Sequence, residues 1–404
     1  MSKEIPIPER PPVTDWARDF DHLDPRWVED PYPIWKHMRD TCPIAHTRRF
    51  QGVYFPSRFA DLRAIAYDTQ HFSSRRLFVR EKHPPLTQAP PVTSDPPVHR
   101  AQRMLLLPPF APGAIRSLEP QIRAFCRRCI AELRGRQQWD GALDYAQRIP
   151  THVTALMLGV PEDHGGRFRQ WIRDFFERGV TDPTVVERVT AEATAYFAAE
   201  INQRRAAPRD DLISYLLDVR LDGEMLTDEH INGTLRLLLF AGIDTTWSAI
   251  GASLWHLATH AADRRRLVAE PGLIPTAIEE FLRAYAPVTI AREVVKGTTI
   301  DGCHFRQGEM VMLPFGAANR DPAVFAAPDT VMIDRAENRH ATFGLGIHRC
   351  IGVHLARLEI TVAVQELLRA IPEFELQPGA RVTWSAGAVR GPRLLPLISS
   401  STSC

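Results

Sequence analysis

The run from Thr227 to Thr259 limits what this chain can become more than any other feature, because it is helical in pattern and apolar on every side. At about 1.5 Å per residue it makes a helix roughly 50 Å long. Thr227 is a good N-cap, and Asp228 and Glu229 suit the positive end of the helix dipole. A helix that is apolar all round lies either inside a large protein or across a membrane. Leu235 to Ala258 is long enough to span a bilayer, but Asp244 near its centre would cost roughly 3 kcal/mol there, and Arg236 adds more. The expectation is a helix that crosses the whole molecule in its interior, with the membrane span as the alternative.

Such a helix needs a large body around it. The chain has 404 residues, 44% hydrophobic and 24% charged, enough to bury a sizeable core and too apolar for extensive disorder. A formal net charge of +1 offers no global field to attract nucleic acid or an anionic membrane. Met1 to Pro12 is polar and proline-rich and lacks the apolar segment of a signal peptide or anchor, so a cytoplasmic protein is expected. Residues 1–15 read as a tail on a single domain spanning 1–404. Six cysteines (Cys42, Cys126, Cys129, Cys303, Cys350 and Cys404) in a chain this long imply reduced thiols rather than a disulfide framework. Cys126 and Cys129 form a CxxC in the arginine-rich stretch Gln121 to Leu133. With no second pair nearby, they read as two ordinary helix positions.

Tyr32 to Thr41 predicts a short helix, and Ile44 to Phe55 two strands around Gly52. Between Arg75 and Pro97, Pro84, Pro85, Pro90, Pro91, Pro96 and Pro97 forbid regular structure and predict a long loop able to close over a ligand. Helices follow to about Leu217, as in Ile115 to Leu133 and Val185 to Arg205. Strands return near Ile290 to Leu313 and Phe374 to Leu397. The fold class is mainly α with small β-sheets.

The sharpest chemical signal runs from Phe343 through Gly344, Gly346, His348 and Cys350 to Gly352, just before an apolar helix that reaches about Ile371. It sets one thiol at a helix start, where free amides and the helix dipole favour a thiolate, a good ligand for a soft metal. Glycines there let the backbone approach a flat cofactor closely. Two rivals are a buried structural cysteine and a zinc site made of His340, His348, Cys350 and His354. The zinc reading leaves Phe343 and the glycines unexplained.

This segment resembles the ligand loop of the cytochrome P450 family, with its phenylalanine, glycines, basic residue and cysteine at the family's spacing. The resemblance implies that Cys350 binds the iron of heme b (iron protoporphyrin IX). Within the long helix, Ala241-Gly242-Ile243-Asp244-Thr245-Thr246 looks like the family's oxygen-activation motif. Gly242 would clear space where the helix passes over the cofactor, and Thr245 can bond back to a carbonyl four residues earlier. Asp244 would take in protons and Thr245 would stand beside the bound oxygen. Glu280 and Arg283 resemble the family's glutamate-arginine pair, with Arg335 as third member of a structural network. The stretch Asp95 to Arg103 resembles the helix beside the heme, so that His99 and Arg103, with Arg292 and His348, could hold the propionates.

The resemblance further implies a monooxygenase of the soluble bacterial class, using dioxygen and two electrons from a ferredoxin and its reductase. Arg100, Arg335, Arg339, Arg349 and Arg357 could form a basic docking patch for that donor. Positions matching the family's substrate pocket are Leu237, Phe240, Ala241, Val288, Ile290, Ala388 and Val389, none of them charged. They imply a small, mostly apolar substrate, such as a terpenoid, aromatic or alicyclic compound. A peroxide-driven peroxygenase lacking use for the Asp244–Thr245 pair, and a non-catalytic heme-thiolate sensor or carrier, are the alternatives. No nucleic acid or membrane partner is expected.

Overall fold

The structure, a computed structural model, describes residues 10–399. The long helix forms as expected: it runs from Asp228 to Thr259, capped by the Thr227 hydroxyl, which accepts from the amide of His230. Of its most apolar stretch, 72% is buried inside the protein, so its apolar surface is used on the chain's own interior. Its first half, through Leu235, Leu239, Phe240 and Ile243, belongs to one hydrophobic cluster with the helices Gly165–Phe176 and Pro183–Ala206. Its second half, from Trp247 to Ala258, belongs to another with the helices Glu119–Leu133 and Val353–Ala370. One helix thus joins two cores, and Ala241 to Thr246 falls at the seam.

The remaining helices lie where the apolar periodicity sets them, including Tyr32–Thr41. Cys126 and Cys129 are buried on the helix Glu119–Leu133, where burial pushes their pKa values up to about 12 and about 11, so both are inert core thiols. Strands are few and short. The largest sheet orders Ile44–Thr47, Val53–Pro56, Met310–Pro314, Thr289–Val294 and Phe72–Ser73, with the second and third parallel and the other neighbours antiparallel. Its fourth strand carries Arg292, paired with Val311. A three-stranded sheet joins Phe374–Leu376, Pro396–Ser399 and Gln138–Asp140.

The presumption that residues 1–15 form a tail needs correction from residue 10 onward. Arg10 pairs with Asp21 and Glu81, and Val13 is buried with its carbonyl held by Arg26 at 3.0 Å. Residues 1–9 lie outside the described part of the chain.

The glutamate-arginine network is present in full. Glu280 and Arg283 are both completely buried, with Glu280 Oε2 2.8 Å from Arg283 Nε and 3.0 Å from Arg335 Nε. Arg283 also donates to the carbonyls of Asn319, Pro328 and Thr330. Two cations around one carboxylate, each with further acceptors, fix the segment 319–338 against the helix Ile274–Ala284. Arg335 is only 9% exposed in this network, so it cannot also serve a docking patch as the sequence reading had it.

Candidate functional site

The seam of the central helix is where its polar residues meet open space. Ala241 is exposed in the middle of a buried helix because it lines an internal cavity. Thr245 Oγ1 donates to the Ala241 carbonyl at 2.7 Å, the bond to the fourth residue back that the sequence suggests. The helix nevertheless stays continuous. At Gly242, an added Cβ would lie 3.2 Å from Thr154 Oγ1. Glycine thus also eases the approach of the neighbouring helix Arg148–Leu158.

Asp244 has no exposed surface, and the cation that tolerates it comes from the far end of the chain. Arg393, on the strand Pro392–Leu394, places Nη2 2.8 Å from Asp244 Oδ1 and Nη1 3.2 Å from Ser248 Oγ. The same guanidinium pairs with Glu177 and lies 4.3 Å over the ring of Trp247. Glycine at 391 makes this approach possible, since a Cβ there would meet Ser248 Cβ at 2.3 Å. Burial pushes the Asp244 pKa up to about 6, against the lowering effect of Arg393. Arg393 and Glu177 escaped the sequence reading. A buried carboxylate demands a cation, but no spacing rule points from residue 244 to residue 393.

The thiol loop is closed by Cys350 N donating to the Phe343 carbonyl at 2.7 Å and Gly344 N to that of Ala341 at 2.8 Å. Gly346 has φ +67°, and a Cβ there would stand 2.6 Å from the Ala66 carbonyl oxygen, so glycine is required twice over. Gly352 caps the helix Val353–Ala370, and Phe343 packs beneath Arg357, 5.0 Å from its ring. Cys350 is surrounded by protein, yet its surface is open. Both hold if the sulfur faces an internal void. Burial raises the thiol pKa and outweighs the Gly352 amide and the cations Arg103, Arg349 and Arg357. The helix start alone thus does not yield the thiolate that the sequence suggested; a coordinated metal would, because it deprotonates a thiol outright. The zinc grouping does not assemble: His340 bonds to Glu279 and His348 to Ser74, and among the described residues no such cluster forms.

Four basic groups gather without an anion of their own. His99 and Arg103 share one face of the helix Val98–Leu106, and the His99 and His348 rings sit 4.4 Å apart. Arg292 is buried and donates only to the adjacent Ala291 carbonyl, at 2.8 Å; burial pulls its pKa down to about 10. Burial and the cations Arg292, His99 and Arg103 push His348 down to about 2. Asp95, the acid nearest in effect, is engaged by Ser73 and Ser74. His99 Nε2 is buried without a partner. A buried guanidinium with a single carbonyl partner and an unpartnered buried ring nitrogen are both costly, and the two propionates of a heme fit that demand.

The main cavity, of about 160 Å³, lies between the central helix, the segment 175–190 and the proline-rich loop. That loop stays irregular between Ser73 and Val98 and runs against the helix where Gly233 leaves room, its Gln88 carbonyl 2.6 Å from where a Cβ would be. Leu237, Phe240 and Ala241 line the cavity as expected from the sequence. Val288, Ile290, Ala388 and Val389 do not: Val288 and Val389 form an isolated bridge, and Ala388 faces a small separate cavity beside His22. The lining also differs in charge from that expectation, with Arg75, Arg76, Arg80, His83 and Arg236 in the walls.

A mainly helical body, a thiol on a glycine-shaped loop and a gathering of basic side chains with no acid of their own fit a protein that holds an anionic metal cofactor. Comparison with known proteins makes this specific. A family model described as Cytochrome P450 matches residues 181–271 and 272–383. Mycinamicin IV hydroxylase/epoxidase of Micromonospora griseorubida is 31% identical, over 89% of this chain and 94% of its own length. Cytochrome P450-terp of a Pseudomonas is 32% identical, over 91% of this chain and 92% of its own. The crystal structure of CYP109E1 from Bacillus megaterium with testosterone superposes with a TM-score of 0.85 at 29% identity, covering 92% of this chain and 98% of that one. The chain belongs to the cytochrome P450 family. It is a heme b monooxygenase.

Proposed function

We propose that this protein hydroxylates a mostly apolar organic molecule, with Cys350 as the protein ligand of the heme iron and a ferredoxin-type protein as electron donor. The observation that carries the reading is Cys350, set deep among protein groups yet keeping open surface, on a loop that two positive-φ glycines shape. A relative named for mycinamicin IV and a neighbour solved with testosterone support an organic-molecule substrate, here taken as small and mostly apolar from the cavity wall.

When bound, heme b supplies the iron at which dioxygen is activated with two electrons. The protein's own part is binding, orientation and proton supply. His99, Arg103, Arg292 and His348 would hold the propionates and so relieve their mutual repulsion. Phe240, Leu237 and Ala241 form an apolar wall that seats the substrate beside the seam. Asp244, poised at about 6, can both hold and release a proton near neutral pH. Thr245 keeps its hydroxyl at the cavity side of the helix through the bond to Ala241. Exposed Arg100, Arg339 and Arg349, with Arg357 held by Glu279 at 2.7 Å, provide a basic surface for an acidic electron donor.

Reduced protein exposed to carbon monoxide should show the absorbance band of thiolate-bound heme, and Cys350→Ser should lose it along with substrate oxidation. Full activity in Cys350→Ser would sink the assignment.

A further inference from the structure

The main cavity is apolar in body but carries charge of one sign only. No aspartate or glutamate lies in its walls, while five basic side chains do. Arg75 and Arg76 have an acid at hand in Glu293, the first through both carboxylate oxygens and the second at 3.5 Å. Arg80 and Arg236 do not. Arg80 is 4% exposed, and its guanidinium donates to the carbonyls of Gly179 and Phe175 and lies 4.9 Å over the Phe175 ring. Burial alone pulls its pKa down to about 10. Arg236 donates to Asn232 Oδ1 at 3.2 Å and to the Gln88 carbonyl at 3.1 Å, and among the described residues no carboxylate comes within ion-pairing distance.

Neutral acceptors leave a buried guanidinium short of the partner that suits it, and desolvation is not repaid. A substrate of uniformly apolar surface would shut these cations away from water still further. One that brings a carboxylate would repair the imbalance with short, charge-assisted bonds. We infer that the natural substrate is an organic acid, an apolar body whose single carboxylate is drawn to the cavity wall that Arg80 and Arg236 leave without an anion.

This inference rests on the proposed oxygenase reading and narrows its substrate class. The placement also sets a length. Arg236 lies five residues before Ala241 and nine before Thr245, which is about 7.5 to 13.5 Å along the helix. The oxidised carbon should therefore stand roughly that far from the carboxylate, at the end of a medium-length apolar body rather than next to the acid.

Binding by the heme-loaded protein can be read by calorimetry, which needs no turnover, for octanoate, decanoate and dodecanoate against their primary amides. The acids should bind at least about tenfold tighter than the amides, about 1.4 kcal/mol, and the preference should shrink with added salt. Arg236→Gln should cut the acid's advantage severalfold while leaving amide affinity within about twofold. Arg80→Gln should do the same and Arg80→Lys should restore most of it, which separates charge from any structural effect of that buried side chain. If no acid of the series binds more tightly than its amide, or if the preference survives both glutamine variants, the inference is overturned. The carbon monoxide band of the same preparations reports separately on the iron ligand, so failure here and failure of the oxygenase reading are distinguishable.

Discussion

Replacing Arg393 by glutamine tests the charge balance that governs Asp244. In the folded protein burial raises the Asp244 pKa to about 6 from the ordinary 3.8, with Arg393 and Arg173 pulling it down and Glu177 pushing it up. For a pKa raised on folding, the group's contribution to stability is full below about 4 and is lost as pH rises through about 6. Between pH 5 and pH 8 the wild type therefore gives up about 1.4 kcal/mol through Asp244. Arg393→Gln removes the strongest influence that lowers this pKa. Every further unit of rise costs about 1.4 kcal/mol at pH 8 and almost nothing at pH 5, where Asp244 is already largely protonated. A rise to about 8, which leaves Asp244 half protonated at pH 8, makes the variant's loss relative to wild type about 2.3 kcal/mol larger at pH 8 than at pH 5, on top of any loss that does not depend on pH. Urea unfolding followed by circular dichroism at the two pH values measures this difference directly, since titrations common to both proteins cancel. The same measurement in an Asp244→Asn background should show no excess. An equal loss at both pH values, or an excess that persists without Asp244, would refute the reasoning.

Glu280→Gln should lower stability by about 3–5 kcal/mol, because Arg283 and Arg335 then sit buried without their shared anion; an unchanged urea midpoint contradicts the network. Thr245→Val removes the hydroxyl bonded to Ala241 and should change stability by no more than about 1.5 kcal/mol. Product formed per pair of electrons consumed should fall severalfold in the same variant, and unchanged coupling would remove Thr245 from proton handling.

What could be read in the sequence was local in character. The central helix was legible to within a residue because its cap, its charged first turn and its apolar surface all lie within one stretch. The thiol loop was legible for the same reason, as were His99 and Arg103, placed four apart on one helix face. The misses were long-range. Arg393 answers Asp244 across 149 residues, and Glu177 reaches Arg393 across 216. The neighbour of Gly242, Thr154, was equally hidden, because only three dimensions show it. Most of the cavity's charge was hidden by its origin in an irregular loop: proline spacing predicts that such a loop exists but not which side chains it turns inward. Arg335 was read both as a member of the Glu280 network and as part of a docking patch, and its burial beside Glu280 leaves only the first.

The position of the site follows from how the two cores are joined. A helix that serves one cluster with its first half and another with its second must leave a gap where the clusters part, and Ala241 to Thr245 occupies that gap. Apolar side chains there would have no partner on one side, so polar groups and a cavity cost less at the seam than anywhere else along the helix. The segment 175–180 borders the same gap from outside. Phe175 and Phe176 line the cavity, Phe175 stacks on Phe240 at 4.8 Å, Glu177 holds Arg393, and the carbonyls of Phe175 and Gly179 hold Arg80. One turn of chain thus contacts the cavity wall, the cavity's buried cation and the partner of Asp244. Any ligand that binds with a shift in this turn must change the energy of the Asp244–Arg393 pair, and by reciprocity the charge on Asp244 must change the affinity for that ligand.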